Sequence, residues 1–153
     1  MCSRLLRNHR MTLDPLDKDA LPQVRALLEA ARLPVADLAT ARPEFFGLRD
    51  DAGLVGVIGL ERHGEAALLR SLAVRDDQRG RGLGTTLVRG LEGRAPGLGV
   101  RELWLLTTTA EPFFRRLGYA PAAREAAPVA VRETEEFRGV CPTSAACLTK
   151  VVP

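Results

Sequence analysis

DDQRGRGLGTTL, residues Asp76 to Leu87, sets two arginines and three glycines between a pair of acids and the start of an apolar helical pattern. The preceding LLRSLAV, residues 68–74, reads as a strand. From Leu83 onward apolar residues recur four apart, at Leu83, Leu87, Leu91 and Ala95, so period two gives way to period 3.6 at the glycines. A strand that turns through glycines straight into a helix points free backbone N–H groups and the positive end of the helix dipole at one small volume. Such a volume suits an anion, with Arg79 and Arg81 adding charge for phosphate oxygens. The plain alternative is a surface turn with solvated arginines. Two common phosphate loops do not fit. A P-loop needs Gly-Lys-Ser/Thr, and no lysine lies between Lys18 and Lys150; the spacing Gly80-x-Gly82-x-Gly84 brings the third glycine one place too early for a dinucleotide fingerprint.

Working outward, residues 43–74 read as a meander of three strands, with turns at Asp51-Ala52-Gly53 and His63-Gly64-Glu65. Upstream, Asp17 or Asp19 caps a helix that presents Leu21, Val24, Leu28 and Ala31 on one face and stops at Pro34. Downstream, GVRELWLLTT is a buried strand, AEPFFRRLGY a short amphipathic helix ending at Gly118, and AACLTKVV a closing strand. The expected class is α+β, with a crossover helix joining neighbouring strands.

The chain of 153 residues has the length of one domain, and its composition, 46% hydrophobic and 27% charged, is that of a water-soluble globular protein. The net charge of +3 resides in residues 1–10, which hold Arg4, Arg7 and Arg10 and no acid. Without them the charges balance, so nucleic-acid binding has little electrostatic support. That segment lacks the apolar stretch of a signal peptide. It reads as a disordered tail, or as an upstream extension of a chain starting at Met11, which leaves 11–153 as a single domain. Cys2, Cys141 and Cys147 form neither a disulfide framework nor, with His9 and His63 as the only histidines, a zinc site. No metal and no membrane partner is expected, and a reducing cytoplasm fits best.

Arg79-Gly80-Arg81-Gly82-Leu83-Gly84 resembles the R/Q-x-x-G-x-G/A loop of the GNAT superfamily of acetyl-CoA-dependent N-acetyltransferases. LLRSLAV resembles that superfamily's fourth strand and FFRRLGYAP its recurrent helix–strand segment, together covering Thr12 to about Val152. Within it, LLTTTAE, TEEF from Thr134 and CPTSAAC from Cys141 are similar to the small acetyltransferases associated with arsenic-resistance operons. The chain also resembles the acetyltransferase domain of N-acetylglutamate synthases.

The resemblance implies a mixed sheet of six to seven strands flanked by helices and splayed between the fourth and fifth strands. It implies that Leu72, Ala73 and Val74 hold the pantetheine arm of acetyl-CoA, and that Arg79, Gly80, Arg81, Gly82, Leu83, Gly84 and Thr85 hold its pyrophosphate. Glu61 is the first candidate for the general base and Glu111 the second. Arg70, Ser71, Thr107 and Thr108 are candidates for holding the acceptor, the arginine through a carboxylate. Phe114 stands where many members carry a tyrosine that protonates the departing thiolate, and the only tyrosine, Tyr119, is expected in the core. The expected activity is acetyl transfer to the amine of a small molecule, an amino acid or an arsenic-containing analogue. A homodimer is left open. The competing expectation is a non-catalytic acyl-CoA-binding or arsenic-sensing domain, with Cys141 and Cys147 as arsenic ligands.

Overall fold

In the computed structural model, which describes residues 12–153, the alternating segments form one seven-stranded sheet in the order β1-β2-β3-β4-β5-β7-β6. Its strands are β1 (Asp14–Leu16), β2 (Glu44–Asp50), β3 (Gly53–His63), β4 (Ala66–Val74), β5 (Glu102–Thr107), β6 (Ala120–Pro121) and β7 (Ala146–Val151). The meander expected over 43–74 is present with both turns in place: β2, β3 and β4 pair antiparallel. The expected terminal segment 1–10 lies outside the described residues.

β3 is buried on both faces from Leu54 to Glu61 because helices cover each side of it. On one face Ile58 and Leu60 pack with Leu87 and Leu91 of the crossover helix, α3 (Leu83–Arg94). On the other, Val57 packs with Val24 and Leu28 of α1 (Leu21–Ala30) and with Leu38 of the short α2 (Leu38–Ala41). Leu28, Leu60, Leu87 and Leu91 are fully buried, and each contributes about 1.5–3 kcal/mol of transfer free energy. Among the described residues no helix is long and apolar enough to cross a membrane.

Three N-terminal details depart from expectation. Asp17 caps a short 3-10 turn, Lys18–Ala20, rather than the α-helix. Leu21 faces solvent at 44% exposure. The helix also ends before Pro34, because Arg32 takes a left-handed conformation with φ 60° and Leu33 N–H closes back on the Leu28 carbonyl at 2.9 Å.

Two irregularities create the site. Between Arg70 and Ala73, β4 carries one residue more than β3, where Ile58 stands alone, and Ser71 adopts φ 59°. This bulge inverts the alternation: Ala67 and Leu69 point to the α3 face before it, whereas Ala73 points to the α1 face after it. The second is a splay. β4 and β5 are parallel and pair only over Ala66–Leu68 with Glu102–Trp104, although β4 runs on to Val74 and β5 to Thr107. β5 meanwhile pairs with β7 along its whole length, so the gap opens on the β4 side alone.

The stretch between β6 and β7, unassigned by periodicity, holds a short helix α5 (Val129–Arg132) and a π-helical turn, Glu136–Val140. Here α4 denotes the preceding short helix, Glu111–Arg116. Val131 and Phe137 pack on Leu68, Trp104 and Leu106, and that packing carries Glu136 to the splay.

Candidate active site

The elbow follows from local backbone chemistry. Gly80 and Gly82 have φ of 80° and 75°, the left-handed region, and a Cβ built on either would meet nothing within 4 Å. Glycine is needed there for backbone freedom rather than for room. Gly82 caps α3, and among the described residues the amides of Gly80 to Thr85 donate to no acceptor. Arg79 pairs with Asp76 at 3.2 Å on the surface and reaches the Val74 carbonyl, while Arg81 is exposed. Six consecutive unpartnered amides at a helix N-terminus form an anion cradle that fits a pyrophosphate.

In the splay lies a cavity of about 600 Å³. Ser71 and Leu72 of β4, Leu105 to Thr109 at the end of β5, Phe114, the loop through Arg32 and Leu33, and Glu136 with Cys141 line it. Thr107 is anchored, its Oγ1 accepting from Ala110 N–H at 3.0 Å, whereas Thr108 and Thr109 are exposed. Of the three residues expected to hold the pantetheine arm, Leu72 lines the cavity. Ala73 pairs with Val57 and is buried, and Val74 continues into the elbow.

Beneath the cavity four charged groups are buried together. Arg70 donates from both terminal nitrogens to Asp37, at 2.6 and 2.7 Å, and to Glu61 at 3.3 Å; its Nε lies 3.2 Å from Glu136. The guanidinium expected to be open to an acceptor carboxylate is therefore already engaged by three carboxylates and by Ser71 Oγ, to which its Nε donates at 3.2 Å. Burial opposes the charge on Arg70, but these carboxylates outweigh it and hold its pKa above the ordinary value. For Asp37 burial pushes upward, and the Arg70 hydrogen bonds and charge overcome it, leaving the carboxyl below its usual range.

Glu136 behaves oppositely. Burial, reinforced by the neighbouring negative charges of Asp37 and Glu61, pushes it up to about 7 against the pull of Arg70. Nearby, burial and the Glu136 charge push the Cys141 thiol up to about 12. Cys147 is raised as well, chiefly by burial, so both thiols stay protonated near neutrality and are poor soft-metal ligands as they stand.

The candidate bases are placed differently from expectation. Glu61 is buried with its oxygens on His63, at 3.1 Å, and on Arg70, and it does not line the cavity. Glu111 sits on the first turn of α4, 3.5 Å from Arg115 and half exposed, also away from the cavity. Tyr119 is in the core, its hydroxyl donating to Glu92 at 2.9 Å; burial and that carboxylate raise its pKa. Glu136, the carboxylate that does line the cavity, is not among the candidates read from sequence. Its signal was the segment TEEF, within which nothing local distinguishes Glu136 from the exposed Glu135.

A family model described as an acetyltransferase (GNAT) domain matches residues 41–121, slightly more than half of the chain. The amino-acid acetyltransferase of Pseudomonas paraeruginosa is 41% identical over 74 residues, 48% of this chain and 17% of that protein. The same enzyme of Azotobacter vinelandii is 39% identical over 66 residues, covering 43% and 15%. The chain thus spans less than a fifth of the length of these curated relatives. N-acetylglutamate synthase from Neisseria gonorrhoeae, solved with coenzyme A and N-acetyl-glutamate, superposes on 94% of this chain with a TM-score of 0.78 at 21% identity, using 35% of its own chain. An acetyltransferase of the GNAT family from Staphylococcus aureus superposes over 94% of this chain and 99% of its own, with a TM-score of 0.75 at 12% identity.

Proposed function

The chain belongs to the GNAT acetyltransferase family, and on that premise we propose that it acetylates the amine of a small molecule, in the first place an amino acid, with Glu136 as general base. Acetyl-CoA is the acyl donor of such enzymes and supplies the acetyl group as a reactive thioester. The amides of Gly80 to Thr85, with Arg79 and Arg81 at the rim, are suited to its pyrophosphate. The β4 edge at Leu72 to Val74, unpaired toward β5, offers backbone groups to an extended arm.

The observation that carries the reading is that β4 joins an anion cradle to a cavity holding one buried carboxylate with a pKa near neutrality. A carboxylate of that kind is ionised for part of the time at pH 7 yet basic enough to take a proton from an attacking amine. Glu136 does this at the cavity wall, and Arg70 fixes its position. Ser71, Thr107 and Thr108 supply hydroxyls for the acceptor's remaining polar groups. The protonated Glu136, at about 7, can return its proton to a departing thiolate of pKa about 8.5, so no tyrosine is required.

The amino-acid assignment draws on the names of the relatives, which share only part of this chain. The test is a screen for release of free CoA thiol from acetyl-CoA with amino acids, arsenic- and phosphorus-containing amino-acid analogues and polyamines. Steady turnover with an amine supports transfer. Tight acetyl-CoA binding without release in any arm would instead favour a binding or sensing domain.

A further inference from the structure

We propose that Arg32 holds a carboxylate of the acceptor, so that the cavity takes an amine bearing an acid group and not a simple amine or polyamine; this rests on the acetyltransferase reading above. Two guanidinium groups line the cavity. Arg70 is taken by Asp37, Glu61 and Glu136. Arg32, by contrast, makes no ion pair with the described residues and sits at the exposed rim. On another wall stands Glu136, able to receive an ammonium group's proton. A cation on one wall and a carboxylate on another match the two ends of a zwitterion.

The backbone at Arg32 is a second, independent observation. Its φ of 60° lies where glycine is the least strained residue. The conformation is pinned on both sides, by Arg32 N–H on the Glu29 carbonyl at 3.1 Å and Leu33 N–H on the Leu28 carbonyl at 2.9 Å. Asp37, four residues beyond Leu33, ties the same loop to Arg70. The loop is therefore held against the charged cluster, and its strained position presents a long cation at the cavity mouth. A guanidinium there can bind a carboxylate with two parallel hydrogen bonds.

Arg32→Gly removes the side chain while relieving the strained φ, so it separates recognition from folding. Each amino acid active in the thiol-release screen is compared with its α-amide and, where it has one, its side-chain amide, in the full chain and in Arg32→Gly. Kd values for the same compounds are read by calorimetry on the CoA-loaded protein. The wild type is expected to favour the free acid over one amide by about tenfold to a hundredfold in KM and Kd, as charge-assisted bonds do. The identity of that amide reports which carboxylate is held. In Arg32→Gly the preference is expected to disappear, with a melting temperature equal to the wild type or higher. An acid-to-amide ratio retained in Arg32→Gly, or amines without any acid group used as well as amino acids by the wild type, would overturn the assignment. Absence of thiol release with every amine would remove the acetyltransferase reading and this assignment with it, an outcome distinct from turnover that ignores the carboxylate.

Discussion

The elbow at residues 79–85 and the charged wall of the cavity are built by opposite means. The elbow is backbone: glycines in left-handed conformations, amides without acceptors, solvent on most sides. The wall is side chain: Arg70, Asp37, Glu61 and Glu136, drawn from four separate segments and buried. A backbone cradle binds a feature common to many donors, whereas a buried charge cluster fixes protonation and geometry for one reaction. The family match at 41–121 contains the whole elbow and, of the wall, only Glu61 and Arg70. Asp37 and Glu136 lie outside it.

The sharpest way to break this contrast is at Gly82. Gly82→Asp adds a negative charge and a disfavoured φ where the pyrophosphate is expected, and acetyl-CoA affinity is expected to fall more than a hundredfold while the melting temperature moves little. Calorimetric titration checks this, and unchanged affinity would remove the cradle assignment. The same kind of change in the wall is expected to act through stability instead. Arg70→Met leaves three buried carboxylates without their cation and is expected to cost about 3–5 kcal/mol in denaturant unfolding. A loss under 1 kcal/mol would mean that the cluster readily neutralises itself.

The pH dependence of stability separates the two regions further. Glu136 has a folded pKa raised to about 7, so the folded state holds this proton more tightly than the unfolded chain does. Its contribution is fully present below the ordinary carboxylate pKa and is lost as pH rises through about 7, at a cost of about 3 kcal/mol. Asp37, with its pKa lowered, works in the other direction and loses its contribution as pH falls through that lowered value. Glu136→Gln is therefore expected to raise the melting temperature at pH 8 relative to the wild type and to give little gain at pH 5. Equal shifts at both pH values would contradict the raised pKa. The smallest effect is expected outside both regions: Tyr119→Phe breaks one hydrogen bond to Glu92, costing about 1 kcal/mol, with kcat changed less than twofold.

The readable half of the molecule is the half whose information is local. The meander, α3 and the elbow follow from alternation, fourfold spacing and three glycines, all within residues 43–94. The strand pairings leave β4 and β5 apart beyond Leu68, in keeping with the expected splay. What periodicity could not reveal is residues 122–145, where short turns replace regular helix and position comes from packing Val131 and Phe137 on the sheet. Arg70 is legible as a carboxylate-binding candidate, but Asp37, 33 residues away, decides what its guanidinium touches. Glu61, the first candidate base, stands near the end of β3 and faces Arg70 and His63 instead of the cavity. A base defined by burial is invisible until the elements that bury it are in place.

The pH dependence of kcat/KM for the acceptor, in wild type and Glu136→Gln, tests the central claim most directly. If Glu136 must be ionised and the amine neutral, the logarithmic profile rises with slope two below about 7 and slope one from there to the amine's own pKa. In Glu136→Gln the rate is expected to fall about 10²–10⁴-fold, with slope one throughout. A profile of the same shape in both proteins, with a rate loss under about threefold, would contradict Glu136 as the base.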